Sequence, residues 1–117
     1  MSNDCDYTKL PKLICEFLGS MFLVVAAISP IILFHHVLGE SIAIDGAENL
    51  SLALAIIADT LAVGFVLFIL IEMFGPISGA HFNPAVSFCM VVAGKMRFPE
   101  ALAYCAAQIA GGVEKRP

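Results

Sequence analysis

The chain has 117 residues, 60% of them hydrophobic and only 14% charged, with a mean hydropathy of +0.93. An ordinary soluble domain is near half apolar and a quarter charged, so this composition is displaced toward lipid. The formal net charge of −4 and six scattered basic residues exclude a nucleic-acid-binding surface.

Residues 1–12 carry Asp4, Asp6, Lys9 and Lys12 and read as a cytoplasmic amino-terminal segment. The apolar run after them is too long for the core of a cleaved signal. That run, 13–38, would reach roughly 39 Å as a helix, enough to cross a hydrocarbon layer of about 30 Å. Pro30 lies inside it, and Ser29 or a neighbouring helix is expected to satisfy the carbonyl that proline frees. His35 and His36 close the run at an interface. Cys5, Cys15, Cys89 and Cys105 show no paired spacing and no histidine at ligand distance, so neither a metal site nor a cofactor is expected. No nucleophile, base and acid stand together, and no enzyme is expected either.

Residues 39–49 hold Glu40, Asp45 and Glu48 and read as an exposed loop. A second apolar run, 50–74, predicts another membrane helix, with Asp59 inside it and Glu72 near its end. Gly75, Pro76, Ser78 and Gly79 then make a turn-rich break. Apolar character resumes over 80–94, too short for a crossing and of the length expected for a re-entrant segment. A third apolar run covers 98–113, and 114–117 form a charged tail. Lys9, Lys12, Lys95 and Arg97 flank these runs, whereas 39–49 has no basic residue. The positive-inside rule therefore puts the amino terminus and 95–97 in the cytoplasm of a multi-pass protein of the cell membrane. With three crossings, the segment 75–94 must enter and return on one side.

Within that segment, Asn83 stands directly before Pro84, which fits the first position of a helix because it has no N–H to leave unbonded. Asn83 is placed as its N-cap. A helix end inside a membrane repels cations, and an asparagine amide can donate to the oxygen of a passing polar solute. The same dipeptide also suits an ordinary short helix with an asparagine cap.

The run Ile77-Ser78-Gly79-Ala80-His81-Phe82-Asn83-Pro84-Ala85-Val86 closely resembles the first signature of the aquaporin, or major intrinsic protein, family. The resemblance extends to Glu16-Phe17-Leu18-Gly19, to Leu61-Ala62 and Gly64, and to Gln108-Ile109-Ala110-Gly111-Gly112. It implies an all-α membrane protein built as the first repeat of an aquaporin-like fold: three transmembrane helices plus one re-entrant half-helix, cut short in the third helix. It implies a pore inside each monomer, four monomers assembling, and a second repeat or another copy completing the wall. On the matching positions, Asn83, Pro84 and Ala85 would line the pore, with His81 on its cytoplasmic side. Glu16, Gln108 and Gly79 would support the non-helical backbone. Read without the resemblance, Glu16 equally suits an acid near the membrane interface.

Two departures matter. Twenty positions before Asn83 stands Val63, where water-selective members place an aromatic residue at the outer constriction. The smaller valine implies a wider filter. Asp59, one helical turn away on the same face, sits either at the pore mouth or between helices as a buried partner. The expected function is passive conduction of water or small neutral solutes such as glycerol. A non-conducting membrane fragment with a structural or partner-binding role remains open, as does half of an ion channel or transporter centred on Asp59. The second Asn-Pro-Ala signature and its arginine, which would fix selectivity, are not in the chain.

Overall fold

A computed structural model describes residues 6–34, 36 and 48–113. They form four helices: α1, Asp6–Leu33; α2, Glu48–Ser78; α3, Pro84–Val92; and α4, Phe98–Gly112. Most of the expected loop 39–49, together with His35 and the tail 114–117, lies outside the described residues.

The architecture departs from the expected three transmembrane helices plus a re-entrant half-helix. Two stretches are long and apolar enough to cross a membrane, Thr8–Leu33 with 26 residues and Leu52–Ser78 with 27. In their most apolar windows only 17% and 11% of residues are buried within the chain, unlike the core helix of a soluble protein. Among the described residues no third helix is long enough to cross. α4 has 15 residues, about 22 Å at 1.5 Å each, against a hydrocarbon layer of about 30 Å. The first half of the expected entering arm, 75–82, is also helix, because α2 continues through Gly75 and Pro76 to Ser78. Proline holds a helical φ and removes one hydrogen bond, to the carbonyl four residues back. Near the end of a helix that loss does not stop the last turn, and Gly79 N–H closes it on Gly75 O at 2.9 Å. Only the five residues 79–83 are non-helical between α2 and α3.

The described chain divides into two compact units. One joins α1 through Phe22 to everything from Ile69 onward. Its buried α4 residues, Ala101, Tyr104, Gln108 and Gly111, recur at helical spacing and make one face. Gly111 has the Phe17 carbonyl where a Cβ would stand, so α4 lies directly against the α1 backbone. Gly19 has the Phe82 ring in the same position. That ring is buried and meets Phe74 edge-on, with centroids 6.3 Å apart.

The other unit, Leu23–Phe68, holds the rest of α1 and most of α2. Ser29 does not take the carbonyl freed by Pro30. Its hydroxyl donates to Val25 O at 2.6 Å, one residue earlier in the helix. Thr60 donates in the same way to Ile56 O at 2.8 Å. Isoleucines and phenylalanines such as Ile56, Ile57, Phe65 and Phe68 stand exposed on this stretch, the outward surface of a helix immersed in hydrocarbon.

Candidate functional site

The five residues between α2 and α3 carry backbone groups that no helix can satisfy. Gly79, Ala80 and Phe82 all have positive φ, at 88°, 52° and 51°. For alanine and phenylalanine this left-handed conformation is strained and persists only where surrounding contacts enforce it. Glu16 supplies them. Its side chain is fully enclosed. Oε1 accepts from the Ser78 hydroxyl at 2.7 Å and from His81 N–H at 3.1 Å. Oε2 accepts from Phe82 N–H at 2.7 Å and from the Gln108 amide at 2.8 Å. Four donors on two oxygens is the arrangement that a carboxylate, an acceptor only, satisfies in full.

Further groups at the break are also paired. Ala80 N–H donates to Ser78 Oγ at 3.1 Å, the Tyr104 hydroxyl to Ser78 O at 2.8 Å, and the Ser20 hydroxyl to Phe82 O at 3.3 Å. Buried backbone polar groups require such partners. The polar cluster continues to α3, where fully buried Ser87 accepts from Gln108 Nε2 at 3.1 Å and lies 3.0 Å from His81 Nδ1. The His81 ring leans on Tyr104 with centroids 5.2 Å apart. Gln108 Oε1 is enclosed with no partner among the described residues. Its amide is oriented by Glu16: turning it over would set that oxygen against a carboxylate.

Asn83 ends the break as the N-cap of α3, with extended backbone at φ −149° and ψ 126° and Pro84 at the start of the helix. Its Oδ1 accepts from Ala85 N–H at 2.9 Å. The carbonyl half of the amide is thereby committed. Among the described residues no partner is found for Nδ2, and Asn83, Pro84 and Ala85 are all exposed.

The structure thus brings Glu16, Gly79, His81, Gln108 and the Asn83-Pro84-Ala85 corner into one unit. Asp59 and Val63 belong to the other. Both are half-buried, and Asp59 Oδ1 is enclosed without a partner among the described residues. Ser20, Ser87 and Tyr104 carry no mark in the sequence, and Ser78 is marked there only as a turn and signature residue. The available signal was modest: Tyr104 and Gln108 share a face of α4, as do Glu16 and Ser20 on α1, each pair at i,i+4.

The family model for the major intrinsic protein matches residues 5–115. The chain belongs to that family. An aquaglyceroporin of Rhizobium meliloti (strain 1021) is 38% identical over 102 residues, covering 87% of this chain and 39% of the relative. A probable aquaporin of Oryza sativa subsp. japonica is 36% identical over 100 residues, covering 86% of this chain and 32% of the relative. The lens fiber major intrinsic protein of Oryctolagus cuniculus is 47% identical over 53 residues, 45% of this chain and 20% of the relative. No solved structure matches significantly. The chain therefore spans about two fifths or less of the length of these relatives. Family membership and the two long apolar helices make it a membrane protein with at least two spanning helices. Its similarity to aquaporins is consistent with a channel-like role, and members of the family are passive channels rather than enzymes.

Replacing Glu16 by glutamine turns one of the two acceptors into a donor facing donors. Each buried group left unsatisfied costs about 1–3 kcal/mol. Glu16→Gln is therefore expected to lower the unfolding free energy by about 2–4 kcal/mol, read from melting in detergent micelles. Glu72→Gln, at an exposed position of α2, is expected to change it little. A Glu16→Gln melt matching the parent would show that other contacts hold the break.

Proposed function

We propose that the chain forms part of a passive channel for water and small neutral solutes such as glycerol, with Asn83 as the donor that meets the solute. The observation that carries this reading is the division of labour within one amide. Oδ1 is committed to capping α3, which leaves the exposed Nδ2 to donate outward. A donor-only group beside the positive end of a helix favours the oxygen of a neutral solute and disfavours a cation. The Glu16 cluster supports the role by fixing the backbone from which Asn83 projects. In this reading Pro84, Ala85 and His81 line the same path, and Gly79 and Gln108 support it.

Val63 extends the proposal to glycerol, because a valine leaves more room at an outer constriction than an aromatic ring. The aquaglyceroporin among the relatives supports the same reading. The pore wall would be completed by a second repeat or by another copy of the chain, with four units assembling. The enclosed Asp59 Oδ1, without a partner among the described residues, favours a second reading, a current-carrying pathway with Asp59 near its mouth.

The test is stopped-flow swelling of liposomes containing this chain joined to the remaining length of the Rhizobium meliloti relative. Asn83→Asp keeps the capping oxygen and removes the donor. It is expected to slow both water and glycerol entry about fivefold, the equivalent of one lost hydrogen bond of about 1 kcal/mol. In the same assay Val63→Phe is expected to slow glycerol more than water. Unchanged flux in Asn83→Asp would reject the donor role, and equal slowing of both solutes by Val63→Phe would reject the filter. Ionic current across the same membranes, lost in Asp59→Asn, would favour the second reading.

We also propose a cytoplasmic amino terminus. Two crossings return the chain to its starting side, which groups Lys9 and Lys12 with Lys95 and Arg97, as the positive-inside rule requires. In a cysteine-free background, an impermeant maleimide applied to intact cells is expected to label Ser41→Cys and to spare Lys95→Cys until the membrane is opened. The reverse pattern would invert the orientation.

A further inference from the structure

Beside the start of α1 and the start of α4 lies a cavity of about 310 Å³ that the channel reading does not use. Its polar wall is made by Lys9, Lys12 and Arg97 with a single carboxylate, Glu100. Leu13 and Ala103 contribute to its apolar wall. Glu100 stands 3.9 Å from Lys12, at the outer limit of an ion pair, with both side chains about a third exposed. Such a pair contributes little. Lys9 and Arg97 have no ionic partner among the described residues. No side chain caps the amino end of α4, which begins at this cavity, so the positive end of that helix adds to the same field.

The surroundings narrow the ligand. Lys9 and Lys12 lie in the first turns of the span Thr8–Leu33, and the end of a span meets the headgroup layer whichever face of the membrane it occupies. A soluble anion has no use for the apolar wall. An anionic phospholipid has: its phosphate faces the cations while the start of its acyl chains lies along Leu13 and Ala103. Basic pockets at the polar ends of membrane helices are suited to such headgroups. We propose that this cavity is a binding site for the phosphate group of an anionic phospholipid. Lys9, Lys12 and Arg97 hold the phosphate, and Glu100 limits its affinity.

The experiment uses the full chain in nanodiscs of phosphatidylcholine mixed with phosphatidylglycerol, with the lipid that stays bound counted by native mass spectrometry. The parent chain is expected to retain phosphatidylglycerol preferentially. Lys9→Gln and Arg97→Gln should each lower that retention about fivefold. Glu100→Gln should raise it, a gain that misfolding does not produce. Lys95→Gln, exposed and outside the cavity, should leave it unchanged. Equal retention of the two lipids would overturn the proposal. So would a loss in Lys95→Gln as large as in Arg97→Gln, which would mean diffuse surface charge. In a separate arm, inorganic phosphate is added to the chain in lipid-free micelles and the melting temperature is read. No stabilisation is expected. An Arg97-dependent stabilisation there would assign the cavity to soluble phosphate and overturn the lipid.

Discussion

A single carboxylate organises the non-helical part of this protein. The break between α2 and α3 presents buried donors that no helix pairs, and each one left unsatisfied would cost about 1–3 kcal/mol. Glu16 answers two backbone donors and two side-chain donors at once. A neutral acceptor has fewer lone pairs to offer. A carboxylate buried alone would be costly, and here four hydrogen bonds stand in place of a cation. The positive φ values of Ala80 and Phe82 follow from this arrangement, because their conformation turns the intervening N–H groups toward α1.

The clamp works only because the backbones come close. Gly19 and Gly111 stand where a side chain would collide with the Phe82 ring and the Phe17 carbonyl. Small residues at helix contacts serve this purpose in membranes, where apolar lipid gives little drive for helices to associate and close packing and hydrogen bonds must supply it. Gln108 depends on the same approach, since it reaches Glu16 and Ser87 from the face of α4 that carries Gly111. The result is a tight polar core within an otherwise apolar chain.

This core ends at Asn83. The backbone N–H groups of residues 79–82 are all tied, whereas the asparagine amide has one half without a partner among the described residues. The fixed part holds the helix start, and the free part is the donor that the proposed channel role uses. The basic cavity by Lys12 and Arg97 is a second polar feature, toward the start of the same α4, and it shares Tyr104 with the core.

Composition and run length alone determined that this chain belongs in a membrane, because only long apolar helices satisfy their own backbone there. The contiguous stretch from Ile77 to Val86 was enough to indicate the family. Local rules also placed Asn83 before a proline-started helix, since capping depends on neighbours in sequence. Apolarity over 98–113 predicts a third crossing but says nothing of where helix α4 ends, and its 15 residues fall short. Pro76 signals a stop in the sequence, yet the last turn of α2 survives one missing hydrogen bond. Glu16 was the real ambiguity: from sequence, an acid in the first turns of a span suits an interface as well as a core. Its partners Ser78, His81 and Phe82 lie 62 to 66 positions away and Gln108 lies 92 away. Only tertiary structure brings them to one carboxylate, because hydrogen bonds between distant segments leave no periodic trace in the chain.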